Sequence, residues 1–337
     1  MSPEPSPTDP PAARRDGGRP LAYAAFLVAV AFAVFGYELR TNGIFACGAA
    51  GYTEDAYLAY CNSLSYGDYD HGALWFNSEP ETRERATAAQ VLFLGSSRME
   101  FAFSTAATEK WFAAHGLSFY LLGFSHTENV TFVAPLLAMI EPTARAYVIN
   151  IDGFFDDRVT EPVDAILHGD NPVSRYHRKR LWQGPHRVLC SSLPTLCGNS
   201  LGFFRTRSTG VWTFQGSDAL VHGGIADAPL KDRKVLDKRI AIAKDFVATL
   251  PAPRECVLFT VAPWAATPRE EAQAIAEAVG VELVAPPGDR LHTFDGSHLD
   301  DPSAEVWSRQ FFAAAGSNIE SCFDARLVDG SAATSAP

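Results

Sequence analysis

At 337 residues, with 47% hydrophobic and 20% charged residues, the chain has the make-up of an ordinary globular protein able to bury a sizeable core. A formal net charge of −11 argues against a general nucleic-acid binder, which would carry a basic face. No internal repeat is visible.

Residues 1–20, rich in Pro, Ala, Arg and Gly, lack apolar periodicity and read as a disordered leader. Residues 21–37 (LAYAAFLVAVAFAVFGY) are an uncharged apolar run, at the short end of what crosses a bilayer as a helix. Arg14, Arg15 and Arg19 precede it. The positive-inside rule therefore puts the amino terminus in the cytoplasm and everything after Tyr37 on the far side, periplasmic or extracellular. A buried core helix is the alternative, but core helices rarely follow a disordered basic leader. The small residues 46–50 come only after Glu38 and Arg40, too far on for signal cleavage, which favours an uncleaved anchor. All six cysteines follow the anchor, as an exported disulfide framework requires. Proximity pairs Cys47 with Cys61 and Cys190 with Cys197, leaving Cys256 for Cys322; buried free thiols are the other reading.

Residues 38–88 read as an irregular segment connecting the anchor to the main domain, with too many aromatics for a free linker. Val91-Leu92-Phe93-Leu94 suits a strand buried on both faces, and Gly95-Ser96-Ser97 a tight turn out of it. Open α/β sheets bind ligands just outside the carboxyl ends of their strands, which makes Ser97 a candidate nucleophile. A plain strand-ending turn is the alternative. A helix is predicted over 105–115, capped by Ser104 or Thr105 and stopped by Gly116, then a strand over 118–122 ending at Gly123. A helix over 129–140 and a strand over 146–151, ending in Asp152-Gly153, follow.

Over 158–234 the pattern dissolves into Pro, Gly, Arg and aromatic residues, as in a functional loop or inserted subdomain. Its basic cluster, Arg175, His177, Arg178, Lys179, Arg180 and Arg187, reads either as contact with an anionic polymer or lipid headgroup, or as a solvated surface run. Regular structure returns with a helix over 235–249, a strand over 256–261, a helix over 268–279 and a strand over 281–284. The last helix, 302–315, has Pro302 in its first turn, and 317–337 reads as a tail. Strands alternating with helices predict an α/β domain over 89–316, a mostly parallel sheet flanked by helices.

The loop Phe294-Asp295-Gly296-Ser297-His298 supplies what Ser97 lacks. A serine hydroxyl needs a base to take its proton, and an acidic group to hold that base's imidazole in one tautomer. Asp295 and His298 have a spacing that permits this on one loop. A metal set of His292, Asp295, His298, Asp300 and Asp301 is a weaker alternative, because it lacks the helical spacing of zinc hydrolase signatures. No metal or other cofactor is expected.

In their order along the chain these pieces resemble the SGNH (GDSL-like) hydrolase superfamily, over about residues 90–316. The resemblance implies a three-layer sandwich with Ser97 as nucleophile, Ser96 standing where many members have Asp, Gly123 as the oxyanion-binding glycine, and Asp295 with His298 as the final pair. In the third block, Asn150-Ile151-Asp152-Gly153, Asp152 occupies the place of the family's oxyanion-binding asparagine. An ionised carboxylate would repel an oxyanion, so Asn150, Asn129 or another donor would have to substitute. Together with the anchor, the resemblance implies a membrane-anchored esterase or O-acyltransferase acting on acyl esters of a cell-surface glycan, with acetyl as the expected acyl group. A non-catalytic module that binds glycan or a membrane acyltransferase partner is the rival. The expected partners are thus an acylated glycan, the membrane and a candidate acyltransferase, with no nucleic acid.

Overall fold

The computed structural model describes residues 19–216, 223–230 and 232–324. The predicted leader through residue 18 and the tail from 325 on lie outside the described residues. Helix α1 (Arg19–Asn42) is long and apolar enough to cross a membrane, and none of its apolar stretch is buried. It runs several residues past the predicted span.

Residues 38–88 are not irregular. They hold β1 (Ala56–Cys61), β2 (Gly67–Asp68), α2 (Asp70–Trp75) and α3 (Pro80–Ala88). The apolar run then forms β3 (Val91–Ser96), buried throughout, and passes with no intervening loop into α4 (Ser97–Phe103). A turn was expected at this point. Ser96 caps the new helix by accepting the Arg98 N–H, and Met99, Ala102 and Phe103 recur at helical spacing, all buried. Next come α5 (Ala106–His115), capped by Thr105, and β4 (Phe119–Phe124), then α6 (Val130–Ile140) and β5 (Ala146–Asn150).

The predicted insertion is structured too. It contains α7 (Glu161–Leu167), α8 (Pro172–Ser192), β6 (Gly202–Thr206) and β7 (Trp212–Gln215). The chain ends with α9 (Arg233–Thr249), β8 (Val257–Thr260), α10 (Arg269–Val279), the short β9 (Glu282–Leu283) and α11 (Asp301–Ser321). Helix α11 takes in residues expected to belong to the tail, and Cys322 just beyond it is bonded to Cys256.

Five strands form a parallel sheet in the order β4-β3-β5-β8-β9. Successive side chains of a strand point to opposite faces. Leu92, Leu94, Tyr120, Leu122, Tyr147 and Ile149 accordingly join one core with α6, α9 and α10. Val91, Phe93, Phe119, Leu121 and Val148 join another with α4, α5 and α11, where Phe103, Phe112, Trp307 and Phe311 pack. The result is an α/β protein with helices on both faces of the sheet. Truncating a buried aromatic here, as in Phe93→Ala, carries a penalty of about 3–5 kcal/mol.

The connecting segment and the insertion are one substructure. Strand β1 pairs antiparallel with β6, opposing Tyr57 to Arg205 and Leu58 to Phe204, in a second sheet ordered β2-β1-β6-β7. The register shifts between Leu58 and Tyr60, and Gln183 of α8 occupies the gap: it accepts from the Leu58 N–H and donates to the Leu58 carbonyl, each at 3.1 Å. The disulfides Cys47–Cys61 and Cys190–Cys197 lie in this substructure, and Cys256–Cys322 ties β8's approach to the end of α11. Three disulfides suit an oxidising compartment.

Candidate active site

Ser97 is the first residue of α4, at the carboxyl end of β3. Its Oγ lies 2.8 Å from His298 Nε2. His298 stands on the loop between β9 and α11, where the Phe294 N–H donates to the His298 carbonyl at 3.0 Å and closes a tight turn. Gly296 in that turn has φ of +82°, a conformation strained for any side-chain-bearing residue. Asp295 Oδ2 is 2.7 Å from His298 Nδ1, and its Oδ1 accepts from the N–H groups of Ser297 and His298 at 2.9 and 2.8 Å. Burial pushes the Asp295 carboxyl up, but the bond to His298, the charge of that ring and the two backbone N–H groups outweigh it and hold the group below the usual carboxylate range. The structure thus brings Ser97, His298 and Asp295 into one hydrogen-bonded line at a partly open edge, with the His298 side chain 16% and Asp295 38% exposed.

The second sheet backs this line. His298 packs against Phe101 and Phe294, at ring separations of 4.8 and 5.6 Å. Phe294 stacks on Phe214 of β7 at 5.0 Å, and Phe101 meets Phe203 of β6 at 5.5 Å. Strands from the predicted insertion therefore fix the far side of the imidazole.

The remaining predicted residues are placed differently. Asp152 does not stand unpaired at the site: its Oδ2 accepts from Arg98 Nη1 at 2.6 Å. Burial raises the Asp152 carboxyl, and Arg98 opposes that rise. Asn150 is fully buried; its Oδ1 accepts from the Ala262 N–H at 2.8 Å, while its Nδ2 has no partner among the described residues. Asn129 caps α6, accepting from the Thr131 N–H and donating to the Arg158 carbonyl, both at 2.8 Å, and so does not serve the site. The Gly123 N–H is also occupied, donating to Glu100 Oε1 at 2.8 Å. Glycine is required here because an added Cβ would lie 2.5 Å from Glu100 Cγ and 2.8 Å from the Ser96 carbonyl oxygen. Its place is explained by close packing beneath α4.

Sequence reasoning missed Arg98 in this role. Its Nε donates to Ser297 Oγ at 3.0 Å and its guanidinium lies 4.0 Å over the Trp264 ring, so it ties the serine helix, the histidine loop and the end of β5 together. Its one signal in the sequence is adjacency to Ser97. Beside it is a cleft of about 340 Å³ lined by Asp152, Trp264, Arg239 and Glu271 among others. It missed Arg205 as well. This fully buried residue binds Asp70 through Nε, at 3.0 and 2.9 Å to the two carboxylate oxygens, approaches Glu100 at 3.1 Å, and donates to the carbonyls of Leu121 and Gly123. Burial lifts Glu100 to about 8, with Arg205 and the Gly123 N–H pulling the other way.

The alternative metal set is not assembled. Asp295 serves His298, and Asp300 caps α11 by accepting from the Ser303 N–H at 2.9 Å. Among the described residues, the donors close enough together to hold an ion are His186, Cys190 and Cys197, and the two sulfurs there are joined in a disulfide. Comparisons of the chain with protein-family models, with curated proteins and with solved structures find no match.

Proposed function

We propose that this protein is a membrane-anchored serine esterase or O-acyltransferase of SGNH type, facing away from the cytoplasm and acting on acyl esters of a cell-surface glycan. The observation that carries the reading is the line Ser97 Oγ, His298 Nε2, His298 Nδ1, Asp295 Oδ2, with hydrogen-bond distances of 2.8 and 2.7 Å. Ser97 Oγ attacks the acyl carbonyl while His298 Nε2 takes its proton, and Asp295 holds the ring in the tautomer that leaves Nε2 free to accept. Collapse of the tetrahedral adduct breaks the ester bond, and the proton on Nε2 passes to the leaving alkoxide. A water or a sugar hydroxyl, deprotonated by the same nitrogen, then attacks the acyl-serine; collapse of this second adduct breaks the acyl–Oγ bond, returns the proton from Nε2 to Ser97 Oγ and releases the free acid or the acylated sugar.

Charge on the adduct would be met by the Ser97 N–H, one of the first-turn N–H groups that have no partner within their helix. The cleft, with Asp152, Arg239 and Glu271 set beside its Trp264 wall, suits a hydroxyl-rich ligand. The apolar α1 and the three disulfides support the anchored, extracytoplasmic placement.

A fluorescent serine-directed phosphonate, applied to the full chain and to Ser97→Ala, tests the reading. Wild type should label and the variant should not. Equal labelling of both rejects Ser97 as nucleophile. Labelling of neither favours the second reading, a binding module, for which the occupied Gly123 N–H is the specific support.

A further inference from the structure

One groove outside the site stands where the apolar helix ends. It has a volume of about 430 Å³, and its walls include Leu39 of α1, Phe45 just beyond, and Arg175, Arg178, Lys179 and Trp182 of α8. Leu39 belongs to the helix able to cross a membrane, so lipid headgroups would surround the groove if that helix is inserted. We propose that this groove binds the headgroup of an anionic phospholipid, with α8 lying in the membrane interface. The inference rests on the anchor reading above and is independent of the catalytic one.

Helix α8 buries Tyr176, Lys179, Gln183, His186 and Cys190, a three- and four-residue spacing that settles which side faces the protein. Arg175, Arg178, Trp182 and Leu189 form one outward stripe, with Leu181 and Val188 beside it. These four apolar residues are between 41% and 65% exposed. A basic first half and an apolar second half on an exposed helix face match a helix lying in a bilayer interface, not one facing water. Indole rings also collect at headgroup depth, where one side is apolar and the other wet. Trp182 and Phe45 meet edge to face there, 6.3 Å apart.

Charge selects the headgroup. In a protein of net charge −11, neither Arg175 nor Arg178 makes an ion pair or side-chain hydrogen bond among the described residues. Two unpaired guanidinium groups beside an apolar floor suit a phosphodiester, whose oxygens match the guanidinium fork. Lys179 forms the groove's inner wall, donating to the Asp68 carbonyl and lying over the rings of Tyr66 and Tyr176 at 5.4 and 5.1 Å.

The test uses the full chain in phosphatidylcholine nanodiscs that contain either brominated phosphatidylglycerol or brominated phosphatidylcholine at equal mole fraction, with tryptophan emission as the readout. Bromine quenches only indoles within contact range. Wild type should be quenched, more strongly by the brominated phosphatidylglycerol, and Trp182→Phe should lose that quenching. Arg175→Gln combined with Arg178→Gln, both exposed and so compatible with folding, should abolish the preference for phosphatidylglycerol. Equal quenching of wild type and Trp182→Phe would place α8 away from lipid and overturn the inference while leaving the anchor intact. Equal quenching by the two lipids would overturn headgroup selection. Failure of the chain to enter nanodiscs at all would overturn both the inference and the anchor reading.

Discussion

Asp152 takes its hydrogen bond from Arg98, the residue immediately after Ser97, so the carboxylate in the block that departs from the expected pattern is paired with the neighbour of the candidate nucleophile. The pair has a positioning role, because Arg98 also holds Ser297 on the histidine loop. Asp152→Asn should therefore lower small-ester turnover by about ten- to a hundredfold, the scale expected when reacting groups shift by a fraction of an ångström to an ångström. Steady-state kinetics with a soluble acetyl ester would measure it. A rise in kcat instead would mean that a missing oxyanion donor, not the Arg98 contact, limits the enzyme.

Ser97 and His298 should act as one unit. Ser97→Ala is expected to reduce ester turnover by on the order of a thousandfold or more, and adding His298→Ala should change little further, because residues sharing one step are strongly non-additive. Multiplying losses in the double variant would identify two independent binding contacts.

Arg205 links β6 of the second sheet to β4 and α4 of the first through Asp70, Glu100 and two backbone carbonyls. Arg205→Met would leave two buried carboxyl groups without their cation, and a destabilisation of about 3–5 kcal/mol is expected. The urea midpoint of unfolding would report it. Because α4 carries Ser97, phosphonate labelling of the surviving folded protein should also slow. An unchanged midpoint would show that the two sheets hold together without this network.

His71 sits fully buried between Asp68, 3.0 Å from Nδ1, and Glu128, 2.8 Å from Nε2. Burial alone would favour the neutral ring, but the two carboxylates prevail and raise His71 to about 10 from a reference of 6.5. A raised folded-state value means stabilisation that is complete below the unfolded pKa and lost as pH rises through the folded one. Stability should thus fall between about pH 6.5 and 10, and His71→Gln should flatten that slope. Glu100, raised to about 8, adds a decline of the same sign at the lower end, and Lys179, lowered to about 8, opposes it at the upper end. The difference between wild type and variant in urea midpoints across this range isolates His71. Parallel profiles for the two proteins would rule out a charged His71 in the folded state.

The apolar span, the parallel strands with their flanking helices, and the pairs Cys47–Cys61 and Cys190–Cys197 could be read from the chain because each leaves a local mark, whereas Cys256–Cys322, 66 residues apart, followed only as the remainder. An unbroken apolar run shows burial on both faces, as in β3. Period, caps and first-turn proline show helices, as at Thr105 and Pro302. Cysteines close in sequence show a short bridge. The placement of Ser97, Asp295 and His298 after strands was legible in the same way, although the helix that begins at Ser97 was not. Their contact was not. Ser97 and His298 are far apart in the sequence, and only the parallel order of β3 and its neighbours, with the turn at Gly296, sets the 2.8 Å between them. The second sheet was hidden because its central pairing joins β1 to β6 across β3, β4 and β5 of the α/β domain, so neither strand shows a partner nearby. Helix α8 was masked by Gly184, Pro185 and a dense run of basic residues. The roles of Asp152 and Gly123 were decided by tertiary structure alone. Arg98 and Glu100, brought beneath and beside them by a helix where a turn was expected, take up the hydrogen bonds that the chain order had assigned to the reaction.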